Sequence, residues 1–163
     1  MTLIVYQDGK LYTDTTCFTD YSDGLPISKP VRDGIDFLLF AGTSESISKY
    51  IDLRMVRTHY PPPELQFIDE LAVVTLDVDG ILRYAENGNY TNQVYILNDQ
   101  PILFGNNALR KVASTYMKNH YTWDKPLMVE LVEMGIFEGV VEVSPKDNLH
   151  YLHTFKSSEL LDL

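Results

Sequence analysis

Turn-forming dipeptides that suit tight hairpins separate several β-rich segments of this chain. Asp8-Gly9 lies between residues 3–7 and 10–18, and Asp79-Gly80 follows a similar segment. Such pairs tolerate the positive φ angles that two-residue type I′ turns require. The flanking segments are rich in β-branched, aromatic and leucine residues, which favour strands. The sequence therefore predicts antiparallel strand pairs and limits the fold to classes that contain antiparallel sheets.

Helical segments alternate with these strands. Apolar residues recur at helical spacing from Thr43 to about His59, after Gly105-Asn106-Asn107, and after Pro126, with Gly135 expected to end the last helix. Strands are expected at residues 3–7, 10–18, 35–41, 71–78, 81–86, 93–97, 102–104, 139–143 and 150–155. The four strands between residues 71 and 104 are expected to form one antiparallel meander. The order predicts an α+β fold, either an antiparallel β-sandwich flanked by helices or a two-layer sheet with helices on one face.

Length and hydropathy indicate one domain. The chain has 163 residues, of which 45% are hydrophobic, so residues 1–163 are expected to form a single domain with residues 156–163 as a loose tail. The apolar runs are far shorter than the roughly 20 residues that span a bilayer, and the first residues lack the pattern of a signal peptide. We therefore expect a cytoplasmic protein without a membrane partner.

The cysteine and histidine content and the net charge of the chain argue against some kinds of site and partner. Cys17 is the single cysteine, and the one close pair of histidines, His150 and His153, would point to opposite faces of a strand, so we expect no metal and no cofactor. Asp77-Val78-Asp79-Gly80 has the alternating carboxylates of a calcium loop but lacks the closing glutamate, so a turn is expected. The net charge of −10 disfavours nucleic acid as a partner. The acidic surface could bind a basic partner or could only provide solubility.

Four motifs resemble those of a known family. They are residues 2–15, Ser28-Lys29-Pro30, Phe40-Ala41-Gly42 and Phe104-Gly105-Asn106-Asn107. Their order and spacing resemble proteasome β-type subunits and their small bacterial and bacteriophage-encoded relatives, a branch of the N-terminal-nucleophile (Ntn) hydrolases. The resemblance covers roughly residues 2–135. It implies a four-layer αββα fold and assembly into a homo-oligomer.

The resemblance also implies a site for amide-bond hydrolysis. After removal of the initiator methionine, the free amine of Thr2 would serve as base for its own hydroxyl, which attacks the peptide carbonyl. Lys29 would lower the proton affinity of the nucleophile, and Asp14 would hold Lys29. Backbone N–H groups near Gly42, with the side chain of Asn106, would bind the oxyanion. The substrate would be a peptide or a protein.

Each of these residues has a structural interpretation as well. Thr2 is a β-former, Asp14 could end a strand, Lys29 could protect a strand edge before a proline, and Asn106 could cap a helix. Where the family usually has Gly-Ser-Gly, this chain has Gly105-Asn106-Asn107, and it lacks the Asp and Ser expected after the third helix. The alternative hypothesis is therefore a catalytically inactive protein of the same fold that binds a partner protein through its acidic surface.

Overall fold

The computed structural model describes residues 2–14, 31–55, 71–86, 92–94, 99–137, 139–144, 148–152 and 161–162. The strands in these ranges are β1 (Leu3–Gln7), β2 (Lys10–Asp14), β3 (Val31–Asp33), β4 (Asp36–Gly42), β5 (Leu71–Asp77), β6 (Leu82–Glu86), β7 (Asn92–Gln93), β8 (Ile102–Gly105), β9 (Val140–Ser144), β10 (Asn148–Leu152) and β11 (Leu161–Asp162). The helices are α1 (Ser44–Met55), α2 (Asn107–Asn119) and α3 (Leu127–Glu133). The serine, aspartate, glycine and proline residues of segment 20–30 predict a loop or a poorly paired strand edge, but this segment, which includes Lys29, lies outside the described residues.

The strands form two sheets. The first sheet has the order β10-β9-β2-β1-β8, and the second sheet has the order β11-β3-β4-β5-β6-β7. Every strand pair is antiparallel except β11 with β3, which is parallel. The described part of the chain is thus a mixed α+β structure with two largely antiparallel sheets, as the hairpin dipeptides predict.

The first hairpin has the predicted turn. Gln7 pairs with Lys10, and the two residues between them, Asp8 and Gly9, have φ angles of 52° and 79°. Two central residues with positive φ define a type I′ turn, whose twist matches that of the flanking strands. The prediction of a tight hairpin at Asp8-Gly9 is confirmed.

The predicted four-strand meander is wrong for its last member. Strands β5, β6 and β7 are neighbours in the second sheet, whereas β8 pairs with β1 in the first sheet, with Val5 opposite Leu103. A turn dipeptide specifies local pairing, but β8 is separated from β7 by a longer connection, and nothing in its own four residues specifies a partner strand. The chain therefore changes sheets before it enters α2.

Residues from both sheets share one hydrophobic core. The first sheet contributes Ile4, Tyr6, Leu11, Phe104, Val141 and Val143, and the second contributes Phe37, Leu39, Ala41, Val74, Leu76 and Leu82. On each strand these residues alternate with residues that face the other way, as the two-residue period of a strand requires. The inner faces of the two sheets therefore pack against each other.

Helix α1 packs on the second sheet. Ile47, Tyr50 and Ile51 form a buried cluster with β-strand residues that include Leu38 and Phe40. The hydroxyl of Thr43 accepts a hydrogen bond from the nitrogen of Ser46 at 3.2 Å, so Thr43 caps the helix. The cap begins the helix immediately after β4 and fixes the end of that strand.

Helices α2 and α3 pack on the first sheet. Their cluster with the sheet contains Leu3, Val5, Tyr12, Ala113, Tyr121, Leu127, Met128, Val129, Leu131 and Val140. Gly135, with φ of 83°, ends α3 as predicted: its nitrogen donates to Val132, and that of Ile136 donates to Leu131. Helical spacing would place Val112 and Met134 on the inward faces of α2 and α3, but that prediction is wrong for both, because their side chains are 47% and 54% exposed.

Three further expectations concern the rest of the chain. The turn at Asp79-Gly80 is present, and the carboxylate of Asp77 accepts hydrogen bonds from the nitrogens of Asp79 and Ile81, each at 2.9 Å. Of the tail from residue 156, the structure describes β11 alone, and the single-domain assignment stays a prediction. Among the described residues, the helices are all too short or too polar to cross a membrane.

Candidate active site

The hairpin register brings Thr2 and Asp14 to the same end of the first sheet. Ile4 pairs with Thr13, so Leu3 comes opposite Asp14 and Thr2 lies one residue beyond. Both residues are polar and yet buried, with exposed fractions of 7% for Thr2 and 2% for Asp14. Buried polar residues at a strand end need partners, and both have further interactions within the structure.

The position of Thr2 is fixed by the start of α2. Its main-chain oxygen accepts a hydrogen bond from the nitrogen of Asn106 at 3.0 Å, and Leu3 pairs with Gly105. A Cβ atom on Gly105 would lie 2.3 Å from that same oxygen, closer than atoms can approach. Gly105, with φ of 109°, therefore permits the close contact between β8 and the residue before β1.

Thr2 lines an open cleft of about 400 Å³ where the two sheets end side by side. From the first sheet and α2, the cleft is lined by Thr2, Gly105, Asn106 and Arg110. From the second sheet and the start of α1, it is lined by Ala41, Gly42, Thr43, Leu71, Ala72, Tyr84 and Glu86. The cleft thus places Thr2 on one wall and Gly42 on the other.

Three of the five residues singled out from the sequence meet in this cleft. Thr2, Gly42 and Asn106 all line it. Asp14 is buried at the same end of the sheet but does not line the cleft, and Lys29 lies outside the described residues. The roles assigned to these residues stay predictions.

Strand alternation places Asp14 on the other face of its sheet. Its cross-strand partner Val140 belongs to the cluster under α2 and α3, whereas Val141, the partner of Thr13, belongs to the core between the sheets. Paired residues project from the same face of a sheet. The carboxylate of Asp14 therefore leaves the strand on the helix-covered face, and the Thr13 hydroxyl lies 3.5 Å from its Oδ1 atom.

Asn106 caps a helix, as the structural interpretation of this residue predicted. Its Oδ1 atom accepts a hydrogen bond from the nitrogen of Leu109 at 3.1 Å, which makes Asn106 the N-cap of α2. The use of Oδ1 by the cap fixes the orientation of the side chain, whose amide group remains the part that could donate to a ligand.

Two charged residues that line the cleft, Glu86 and Arg110, were not predicted from the sequence. Burial raises the pKa of Tyr84, and Glu86 raises it further through its charge and a hydrogen bond, while the charge of Arg110 acts in the opposite direction. The Tyr84 ring packs on Phe104, with centroids 5.1 Å apart. These residues come from β6, β8 and α2, so no local sequence pattern could have shown that they meet.

Metal ligands are not grouped in the described ranges. Among residues 2–14, 31–55, 71–86 and the later described segments, no three His, Cys, Asp or Glu side chains lie close enough together to hold a metal ion. The residues that line the cleft provide hydroxyl, amide, carboxylate and guanidinium groups.

No protein-family model matches the chain, and no curated protein matches it in sequence. Solved structures that are similar include Thiobacillus denitrificans BPH in complex with Epoxomicin, at 12% identity and a TM-score of 0.47, over 94% of this chain and 99% of that chain. Another is the eukaryotic HslV from Trypanosoma brucei, at 12% identity and a TM-score of 0.47, over 84% of this chain and 93% of that chain. Both similarities extend over most of each chain.

Proposed function

We propose that this chain is a proteasome-like N-terminal threonine hydrolase, which cleaves peptide bonds after its initiator methionine is removed. The observation that carries the proposal is the position of Thr2, which precedes β1 and lines an open cleft opposite Gly42. A nucleophile needs access to substrate and a fixed position, and Thr2 has both, because the hydrogen bond from Asn106 holds its main chain.

In this mechanism, the free α-amine of Thr2 is the general base. An α-amine has an ordinary pKa of about 8, so a useful fraction is unprotonated near neutral pH. The amine takes the proton of the hydroxyl as the oxygen attacks the peptide carbonyl, and it gives that proton to the leaving nitrogen when the C–N bond breaks and the acyl-enzyme forms. Water then hydrolyses the ester and restores the hydroxyl.

The other predicted residues would support these two steps. Lys29 would favour the ionised nucleophile by its positive charge, and Asp14 would hold Lys29 in place. Main-chain N–H groups near Gly42 and the amide group of Asn106 would donate hydrogen bonds to the oxyanion. All of these roles belong to the proposal, as do the homo-oligomer, a cytoplasmic location and a four-layer αββα arrangement, which the packing of the helices on the two sheets supports.

The proposal is tested by the mature N-terminus and by its reactivity. Intact-mass measurement of untagged protein is expected to show loss of the methionine, and a threonine-directed covalent probe is expected to label the trimmed protein. Thr2→Ser keeps a hydroxyl and should retain labelling, whereas Thr2→Ala should abolish it. Threonine, serine and alanine are all small, so the initiator methionine can be removed from the wild type and from both variants. The three proteins can therefore be compared directly.

Retention of the methionine in the native host, or equal labelling of wild type and Thr2→Ala, would refute the proposal. A retained methionine makes the nitrogen of Thr2 an amide, which cannot act as a base. Peptide mapping of the labelled protein places the adduct, so labelling at Thr43 or another hydroxyl in the cleft would also count against Thr2.

One observation favours the alternative, an inactive protein of this fold that binds a partner protein through its acidic surface. Acidic residues give the chain a net charge of −10, and the proposed hydrolysis makes no use of that charge. Under this alternative, the net charge of −10 would attract a basic protein, and binding would weaken steeply with salt. Thr2→Ala would leave that binding unchanged.

A further inference from the structure

One wall of the cleft carries a positive charge close to Thr2. Among the lining residues that the structure describes, Arg110 is the one cation and Glu86 the one anion. Arg110 is exposed, and its guanidinium donates a hydrogen bond to the side-chain oxygen of Asn107. A guanidinium has five N–H donors, so this bond orients the group and leaves donors for a ligand.

Two main-chain hydrogen bonds fix the distance between Arg110 and Thr2. The oxygen of Thr2 accepts from the nitrogen of Asn106 at 3.0 Å, and the oxygen of Asn106 accepts from the nitrogen of Arg110 at 2.9 Å. The second of these bonds is the first turn of α2, so the backbone of Arg110 cannot move relative to Thr2 without loss of helical structure. A ligand held by Arg110 would therefore lie at a set position along the cleft.

The opposite wall is apolar at its base and acidic at its rim. Ala41, Leu71, Ala72 and the ring of Tyr84 provide apolar surface, and Glu86 follows Tyr84 on the same face of β6. Glu86 therefore places a negative charge on the wall that faces Arg110. The cleft thus suits a group with an apolar stem and a charged end.

We propose that Arg110 is a specificity-determining residue that binds a carboxylate of the peptide substrate, close to the bond that Thr2 cleaves. The inference rests on the proposed function. The carboxylate could belong to an acidic side chain or to the C-terminus of a peptide, since both offer two oxygens to a guanidinium. Glu86 repels the same carboxylate and weakens the preference.

The overall charge of the protein does not oppose this local preference. The net charge of −10 repels an acidic peptide at long range, but charges beyond about 8 Å are largely screened at physiological ionic strength. A direct hydrogen bond from Arg110 is screened much less. We therefore expect the preference for a carboxylate to appear in kcat/KM and to persist in moderate salt.

Three internally quenched peptides test the proposal and identify the source of the carboxylate. The first has glutamate before the scissile bond and an amidated C-terminus, the second has glutamine there, and the third has glutamine with a free C-terminus. Wild-type protein is expected to cleave one carboxylate-bearing peptide about tenfold faster in kcat/KM than the uncharged peptide, the size of effect that a charged hydrogen bond gives.

Matched variants connect the preference to Arg110. Arg110→Ala should remove the preference for the carboxylate-bearing peptide, and Arg110→Lys should retain part of it. Arg110→Glu should reverse the preference, so that a further peptide with lysine before the scissile bond is cleaved faster than the glutamate peptide. Glu86→Gln should increase the preference. Lys111→Ala is the control, because Lys111 is an exposed cation on the same helix that does not line the cleft, and its discrimination should equal that of wild type.

The outcomes separate this proposal from the proposed function. If the probe labels Thr2 but wild type shows no carboxylate preference, or Arg110→Ala keeps it, the inference about Arg110 is overturned and the hydrolase stands. If the probe does not label Thr2, peptide binding is measured instead. Fluorescence anisotropy compares how tightly Thr2→Ala protein binds dye-labelled glutamate and glutamine peptides. Tighter binding of the glutamate peptide that Arg110→Ala abolishes would keep the carboxylate site without the hydrolase, and equal binding would overturn both.

Discussion

The main-chain oxygen of Thr2 accepts a hydrogen bond of 3.0 Å from the main-chain nitrogen of Asn106. This bond joins the residue before β1 to the residue before α2, at the point where β8 ends. Because the bond uses main-chain atoms, its strength does not depend on the side chain of either residue. The identity of Gly105 and the amide side chain of Asn106 therefore make separate contributions, which substitutions can distinguish.

Replacement of Gly105 by alanine should disrupt this junction. The new Cβ would lie 2.3 Å from the Thr2 oxygen, and alanine would have to adopt φ of 109°. We expect Gly105→Ala to lower the free energy of unfolding by about 3 kcal/mol or more, the sum of backbone strain and overpacking. Urea denaturation measures the change.

Gly80→Ala is the matched control. Gly80 also has positive φ, 84°, but a Cβ there meets no described atom within 4 Å. Its cost should be backbone strain alone, about 1–2 kcal/mol. Equal costs for the two substitutions would contradict the close contact between Gly105 and Thr2.

Glu130 should stabilise the packing of α2 and α3 far more than its neighbour Glu133 does. Glu130 is 5% exposed and accepts hydrogen bonds from the hydroxyls of Tyr116, at 2.8 Å, and Thr122, at 2.9 Å. Glu130→Ala removes both and should cost about 2 kcal/mol. Glu133 pairs at the surface with Lys125, so Glu133→Ala should change stability by about 0.5 kcal/mol or less. Thermal unfolding of both variants provides the comparison.

The sequence predicted these helices more reliably than their contacts. The helical spacing of apolar residues between Pro126 and Gly135 placed α3 within a residue or two of its bounds, and Gly135, with positive φ, ends the helix as expected. The pattern did not show that Glu130 is buried, because a glutamate at a core position is satisfied by Tyr116 and Thr122, which come from α2 and the following loop. Contacts between distant elements are not encoded in local periodicity.

The residues that line the cleft also differ in whether the sequence could predict them. Thr2, Gly42 and Asn106 were singled out by the resemblance of short motifs to a known family, and each of them lies next to the end of a strand or the start of a helix. Tyr84 lies within β6, and its place beside the cleft depends on how the second sheet packs against the first. The sequence could therefore indicate candidate chemistry but not the charged rim that surrounds it.

Acid should destabilise the protein partly through Asp77. Burial by itself raises the pKa of this carboxyl, but hydrogen bonds from Ile81, Arg83 and Asp79 outweigh burial and hold the pKa below its ordinary value. Because the folded-state pKa is lower, Asp77 contributes stability above its unfolded pKa of about 4, and this contribution is lost as the pH falls through the folded value.

The pH dependence of two variants tests this assignment. The free energy of unfolding of wild type should fall more steeply below about pH 4 than that of Asp77→Asn, which cannot take up the proton. Asp79→Asn, an exposed substitution in the same turn, should keep the wild-type slope. Parallel curves for wild type and Asp77→Asn would contradict the assignment.

Two substitutions of Asn106 should separate its capping role from its proposed role in oxyanion binding. Asn106→Asp keeps an oxygen that can accept from Leu109, so we expect stability within about 0.5 kcal/mol of wild type, whereas Asn106→Ala removes the cap and should cost about 1 kcal/mol. Aspartate cannot donate the hydrogen bond that the amide can, and it adds a negative charge where the oxyanion would form. If the amide binds the oxyanion, Asn106→Asp should reduce kcat by about 100-fold or more while the protein remains folded. If Asn106 is only a cap, Asn106→Asp should retain wild-type turnover, and Asn106→Ala should lose activity only to the extent that it loses folded protein, which circular dichroism measures in the same samples.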